Sequence, residues 1–289
     1  MNQITLWIEA ARPKTWIASM SPVWIGNAMA FSAGSFSLLT FCLTMGFAFF
    51  IQIGTNFAND YLDAKQGCDT QERLGPRRMV SSGLIPMKRM AWATHLMLIR
   101  ATLFGLFLSW MSTFWLFPGV ILTVLLSYGY TWSRFSLATT GWADLMVMLC
   151  FGGIATVGSL FVQTGYLSPV AAIAAIGPGA FSTSLLALNN LRDIDQDRQG
   201  GRKTLAVRFG PSFVIWEWRI LMLMATLTPL FLCEFLHGGV LPILTALPPF
   251  ALLVFGWRIL RRNSASLFQL TGITFLSYTL LFCLSILLG

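Results

Sequence analysis

Asn56-Phe-Ala-Asn-Asp-Tyr-Leu-Asp63 closes a long apolar run. The chain carries no charge from Thr15 to Asn59, and then Asp60, Asp63, Asp69 and Glu72 arrive within 13 positions. A second such stretch, Asn189-Asn-Leu-Arg-Asp-Ile-Asp-Gln-Asp197, closes another apolar run, and together the two windows hold seven of the 11 acidic residues. Carboxylates at the edge of hydrocarbon are expensive and tend to mark function. The two stretches therefore indicate both the fold class and the place of the chemistry.

Outward from them, the sequence reads as membrane protein. Of its 289 residues 56% are hydrophobic and only 10% charged, against about 25% charged in a soluble domain. The uncharged runs are long enough for spans of roughly 20 residues. Spans fit at 17–34, 37–58, 90–111, 114–132, 141–163, 167–190, 213–235, 239–258 and 266–287, which makes nine. The expectation is an all-α membrane protein, a single polytopic domain over 1–289, with long polar loops at 60–89 and 191–212. The segment before Trp16, ending in Arg12-Pro13-Lys14, reads as an interfacial helix with Trp7 and Trp16 at headgroup level. No cleavable signal-peptide pattern is present.

Positive charge gives an orientation. With the N-terminus cytoplasmic, segments 1–16, 60–89, 133–140, 191–212 and 259–265 lie inside and hold 16 of the 19 Lys and Arg, while the opposite turns hold none. Both acidic stretches then face the cytoplasm. The net charge of +8 reflects this asymmetry and implies no nucleic-acid partner. Of the arginines left within spans, Arg219 reads as snorkelling and Arg100 as facing a polar cavity.

On a helix Asn56, Asp60 and Asp63 fall at i, i+4 and i+7, and Asn189, Asp193 and Asp197 at i, i+4 and i+8, so each trio makes one polar stripe. Two facing carboxylate stripes form an oxygen-rich site that requires cations. Mg2+, which takes one or two protein carboxylates plus phosphate oxygens, suits it best. Lys65, Arg73, Arg77, Arg78, Arg192, Arg198, Arg202 and Lys203 are placed to clamp phosphate oxygens, and a diphosphate at a membrane surface implies a lipid diphosphate. For Glu72, Arg198 and Asp195 the reading as ordinary loop charges is an acceptable alternative. The five cysteines are scattered and read as free thiols. His95 and His237 lack a carboxylate partner pattern and read as interface residues. Gly152-Gly153 and Gly158-Ser159 read as close helix packing. Asp144 either caps its helix or orients a nearby base.

The pairing of Asn59-Asp60-x-x-Asp63 with Asp193-x-x-x-Asp197 resembles the two aspartate-rich motifs of the UbiA superfamily of intramembrane aromatic prenyltransferases. Arg12-Pro-Lys-Thr15, Asn56 to Asp63, Asp69-Thr, Arg73-x-Gly-Pro-Arg-Arg78, Ser82-Gly83 and Asn189-Asn-Leu-Arg-Asp193 followed by Lys203-Thr-Leu-Ala-Val-Arg208 resemble its 1,4-dihydroxy-2-naphthoate branch. The likeness runs from about residue 7 to residue 210. Gly67 stands where the commonest superfamily pattern has a further aspartate.

The resemblance implies nine spans in one bundle around a central cavity, in the bacterial cytoplasmic membrane, with a polyprenyl diphosphate and an aromatic acid as substrates. It implies two Mg2+ held by Asp60, Asp63, Asp193 and Asp197 with Asn56 or Asn59, and Asn189 on the second stripe beside them. Tyr128 and Tyr130 are placed to shelter an allylic cation, and Arg134, Lys203 and Arg77 are candidates to dock the acceptor carboxylate. Alternatives are another acceptor, such as 4-hydroxybenzoate or homogentisate, on the same fold, or a cation-coupled transporter.

Overall fold

A computed structural model describes residues 2–67, 75, 77–129, 141–235, 239–260 and 264–288. Among the described residues every regular element is helical. A short α1 (Gln3–Ala11) leads through a tight turn into α2 (Trp16–Ser32). Next come α3 (Leu38–Gln66), α4 (Met87–Met111) and α5 (Leu116–Gly129). One continuous rod, Ala143–Thr164, comprises α6 (Ala143–Val147), a π-helical stretch (Met148–Val157) and α7 (Gly158–Thr164). The chain continues with α8 (Pro169–Ala174), α9 (Ile176–Arg192), α10 (Ile194–Gln199), α11 (Leu205–Phe231), α12 (Val240–Leu260) and α13 (Ser264–Leu288).

Seven of these rods are long and apolar enough to cross a membrane: Leu38–Gln66, Met87–Met111, Ala143–Thr164, Pro169–Arg192, Leu205–Phe231, Val240–Leu260 and Ala265–Leu288. The protein is an integral membrane protein. The other two expected spans are shorter, α2 with 17 residues and the described part of α5 with 14.

The 29 residues of α3 would reach about 44 Å at 1.5 Å per residue, well beyond a hydrocarbon core of about 30 Å. Its last turns, which bear Asp60 and Asp63, therefore project out of the apolar layer. Ser37 starts the helix by accepting from the Thr40 amide at 3.3 Å, and Gly67 ends it at φ 65°. That left-handed cap accounts for the glycine at this position, since a side chain there would be strained.

The largest core lies between α2, α9, α11 and α13, where Phe181 stacks on Phe275 at 4.7 Å and Trp218, Tyr278 and Phe282 are fully enclosed. Prolines and glycines set the closest approaches. Pro22 in α2 cannot donate to the Ala18 carbonyl, and the Ser182 hydroxyl of α9 lies 3.1 Å from that oxygen. A Cβ on Gly152 would stand 2.7 Å from the Ala175 carbonyl and 2.9 Å from the Gly179 Cα, so Gly152 does serve close packing. The expected partners Gly153 and Gly158 face open space, while Ser159 packs against Gly26.

A second core joins α1 to the acidic end of α3. Leu6, Ala10, Phe57, Met79, Ile85 and Met90 are buried together, and Trp7 meets Phe57 edge to face at 5.5 Å. Ile4 and Ile8 stay exposed on α1, as expected of an interfacial helix. The four described cysteines are free. Arg219 lies 5.1 Å over the Trp216 ring. Arg100 is exposed, with its guanidinium 5.8 Å over the Phe50 ring, so its described neighbour is an aromatic ring and not a polar group.

Candidate active site

The turn after α1 anchors the site. Arg12 adopts φ 51°, the only left-handed non-glycine among the described residues, and passes the chain to Pro13. The Thr15 hydroxyl donates to the Arg12 carbonyl at 2.9 Å and the Trp16 indole to Ala11 at 2.8 Å. From α3 the Asn56 amide donates to the same Ala11 carbonyl at 2.9 Å and lies 3.1 Å from the Thr15 hydroxyl. Gln52, one turn earlier, reaches Thr15 at 3.1 Å. The amide nitrogen of Asn56 is thus spent on holding the Arg12-Pro-Lys-Thr15 turn against α3.

One and two turns on, Asp60 and Asp63 are almost fully buried. Asp60 accepts the Met79 and Val80 backbone amides, one on each oxygen, both at 2.9 Å. These donors come from a compact turn in which Gly83, at φ 70°, donates to Val80, and Leu84 donates to Met79. Asp63 takes two guanidiniums: Arg78 on Oδ2, and Arg202 on Oδ1 at 2.6 Å.

Arg202 comes from the second acidic stretch. Helix α9 ends at Arg192, and Asp193 is the joint from which α10 starts. The bonds from Asp193 N to Asn189 O (3.0 Å) and from Asp197 N to Asp193 O (2.8 Å) preserve the four-residue spacing of the stripe through this joint. After the Gly200-Gly201 turn the chain folds back, so that Arg202 N donates to the Asp197 carbonyl at 2.8 Å and its Nη1 to Asp197 Oδ1 at 3.3 Å. Arg192 forks onto its neighbour Asp193, with Nε and Nη2 each at 2.8 Å. The loop expected over 191–212 is accordingly mostly helical, holding the end of α9, all of α10 and the first turn of α11 up to the kink at Gly210.

The structure thus brings Asp60, Asp63, Asp193 and Asp197 to one end of the bundle, all buried and all engaged. Asn59 and Asn189 are half-buried beside them; Lys65, Arg77 and Lys203 are exposed at its rim. Lys65 sits 5.8 Å over the Tyr61 ring, and Tyr128 of α5 is within electrostatic reach of both. His95 meets the Tyr128 ring at 5.9 Å. Asp195 and Arg198 form an exposed pair at 3.6 Å, of the kind that contributes little. Asp144 is buried in the first turn of α6 and makes neither a capping hydrogen bond nor an ion pair among the described residues. Arg73, Arg134 and Tyr130, with Asp69, Glu72 and His237, lie outside the described residues.

Sequence reasoning missed two features. The backbone amides that cradle Asp60 carry no side-chain signal. The bridging role of Arg202 had one: an arginine just past a Gly-Gly turn and five residues after Asp197 is placed to fold back onto it.

The donor set suits a hard divalent cation, being carboxylate oxygen alone and drawn from two helices, with basic side chains interleaved for phosphate. Among the described residues no three Asp, Glu, His or Cys side chains gather around one point. Guanidiniums lie between the carboxylates instead, marking where positive charge is stable.

The profile of the UbiA prenyltransferase family matches residues 19–284, well past residue 210 where the motif likeness ends. A 1,4-dihydroxy-2-naphthoate octaprenyltransferase of Haemophilus influenzae is 34% identical over 217 residues, 72% of this chain and 70% of that one. The enzyme of the same name from Bacillus subtilis is 32% identical over 213 residues, 73% of this chain and 67% of that one. Among solved structures, an Aeropyrum pernix UbiA homologue in its apo form superposes with a TM-score of 0.71 at 14% identity, covering 96% of this chain and 98% of that one. An Archaeoglobus fulgidus UbiA homologue bound to DMAPP and Mg2+ superposes with a TM-score of 0.70 at 13% identity, covering 97% and 98%. At these identities the structural likeness speaks for the fold.

Proposed function

The chain belongs to the UbiA prenyltransferase family, and from that membership we propose that it transfers a polyprenyl group from polyprenyl diphosphate to 1,4-dihydroxy-2-naphthoate. Diphosphate and carbon dioxide leave, and demethylmenaquinol is the product. The observation that carries this reading is the bridge by Arg202, which sits 139 positions from Asp63 in sequence yet joins it to Asp197. Two acidic stretches far apart in sequence share one buried centre of interleaved carboxylates and guanidiniums at the end of a membrane-spanning bundle, a place suited to the head of a lipid diphosphate. The naphthoate substrate is supported by the names of the relatives, and the use of metal by the Archaeoglobus homologue.

In this reading Asp60, Asp63, Asp193 and Asp197 hold two Mg2+. When bound, the metal ions neutralise the charge that builds on the diphosphate as the allylic C–O bond breaks. The chain supplies the rest. Met79 and Val80 amides fix Asp60 in one orientation, so it need not reorganise during reaction. Arg78, Arg192 and Arg202 pair with Asp63, Asp193 and Asp197 and are long enough to meet diphosphate oxygens. Tyr61 and Tyr128 present aromatic faces near this end of the bundle, where a ring quadrupole favours a cation, and the apolar cores on either side exclude water. The new bond from ring carbon to prenyl group replaces the bond to the departing carboxylate, so charge balances with no net proton, and no histidine base is required. We place the site and the N-terminus on the cytoplasmic side of a bacterial inner membrane, on the distribution of positive charge.

The test is to incubate membranes containing the protein with 1,4-dihydroxy-2-naphthoate, a polyprenyl diphosphate and Mg2+, and to assay prenylated naphthoquinol with and without EDTA. Metal-dependent product is expected. Product with 4-hydroxybenzoate alone would overturn the acceptor, and silence with every aromatic acceptor would overturn the reading.

A further inference from the structure

The buried carboxylates of the two acidic stretches are already satisfied by the chain. Arg202 spans Asp63 and Asp197, Arg78 pairs with the other oxygen of Asp63, and Arg192 forks onto Asp193. These guanidiniums are themselves largely buried, with side-chain exposures of 15% for Arg202 and 5% for Arg78. A divalent ion shared by Asp63 and Asp197 needs the space that the Arg202 head fills. Ion and guanidinium cannot both stand between the same two oxygens, since like charges at contact repel strongly in a partly dehydrated site.

The backbone allows the exchange. Arg202 follows the exposed Gly200-Gly201 turn, with Gly201 at φ 72°, while its own amide stays fixed on the Asp197 carbonyl at 2.8 Å. The side chain can therefore swing while the loop stays in place. Arg78 likewise precedes the Met79 and Val80 amides that hold Asp60, and those bonds do not depend on where its guanidinium points.

We propose that Arg202, with Arg78, is an exchangeable stand-in for the metal ions, holding the two acidic stretches together in the empty protein and passing to the diphosphate when metal takes the carboxylates. The inference rests on the metal-and-diphosphate reading above and adds a coupling to it. Metal alone must displace guanidiniums from the carboxylates they pair with. Diphosphate alone meets arginines already paired. Together they satisfy every charge, so each tightens the other, and the reciprocity is thermodynamic. A prenyl diphosphate arriving with its metal would then be the species that opens the site.

The test uses the purified full chain in detergent, Mn2+ read by electron paramagnetic resonance as the metal probe, and inorganic pyrophosphate as the head-group probe, with a protein-free blank for the complex between the two. Arg202→Gln is expected to bind Mn2+ alone about tenfold more tightly than the parent, equivalent to about 1.4 kcal/mol, and to lose much of the gain that pyrophosphate gives the parent. An arginine that merely braces the loop predicts the opposite, a looser metal site in the variant. Unchanged or weaker Mn2+ binding by Arg202→Gln would overturn the exchange. Should that variant fail to fold, Arg202→Lys carries the same test with a smaller gain expected, because one ammonium cannot span both carboxylates as a fork does; no gain there would equally overturn it. A parent that forms prenylated product while its variants show no such gain sinks the exchange alone, whereas a parent without product under any acceptor sinks the reading beneath it too.

Discussion

The side-chain amide of Asn56 lies 3.1 Å from the hydroxyl of Thr15 and 2.9 Å from the carbonyl of Ala11. A residue that spacing alone assigns to the metal stripe is thus also the clasp between α3 and the turn that joins α1 to α2. Asn56→Ala is expected to lower the melting temperature in detergent by the equivalent of about 1–3 kcal/mol, because a buried carbonyl loses a donor. Cleavage after Trp7 or Lys14 under limited proteolysis should become faster. An unchanged melt with unchanged proteolysis would show that the clasp carries no weight.

The Gly152–Gly179 crossing predicts an asymmetry between adjacent glycines. Gly152→Ala drives a methyl to within 2.7 Å of the Ala175 backbone oxygen, whereas Gly153→Ala meets nothing within 4 Å. The first is expected to destabilise by about 1–3 kcal/mol through overpacking against rigid backbone, the second to be neutral or slightly stabilising. Thermal melting of the two variants side by side decides it; equal effects would contradict the crossing.

A polar clasp also closes the opposite end of the bundle. Gln163 donates to Asn27 at 2.7 Å and accepts the Ser37 amide at 2.8 Å, and Asn27 in turn reaches Thr44 at 3.2 Å. Gln163→Leu strands the Asn27 oxygen and the Ser37 amide, at an expected cost of about 1–3 kcal/mol. Because the site lies at the other end, metal-dependent turnover at low temperature should persist. Loss of turnover with an intact melt would refute this separation.

Asp193→Ala is expected to abolish turnover while the protein still inserts and folds, since it removes one of the four buried carboxylates of the site. Asp195→Ala, two residues on, removes only an exposed partner of Arg198 and should leave turnover near the parent and stability within about 0.5 kcal/mol. Equal activities for the two variants would dissolve the site assignment.

The four-residue spacings of Asn56, Asp60 and Asp63, and of Asn189, Asp193 and Asp197, were legible because a helical period needs no tertiary information. The span positions were legible for a similar reason, since hydrocarbon thickness fixes the length of an apolar run: α4 and α13 begin and end within three residues of the expected places, while α3 runs eight residues further and the span expected from 167 is broken into α8 and α9. Gly67 read as a departure from a motif, but its left-handed φ shows it as the cap that stops α3. The role of Asn56 read as chemistry, and the fold gives its amide nitrogen to the Arg12-Pro-Lys-Thr15 turn.

By itself the sequence determined that this is a membrane bundle whose polar chemistry sits at the ends of two helices, because burying charge in hydrocarbon is so costly that few arrangements are open to it. Only the tertiary structure decided which charges neutralise which. Arg202 is one of several basic residues in the loops, and nothing in its spacing to Asp63 foretells a contact across 139 positions. Such a pairing depends on how far a loop folds back after a glycine turn, and on which guanidinium then reaches two carboxylates at once. Those distances arise from packing and are written in no local period.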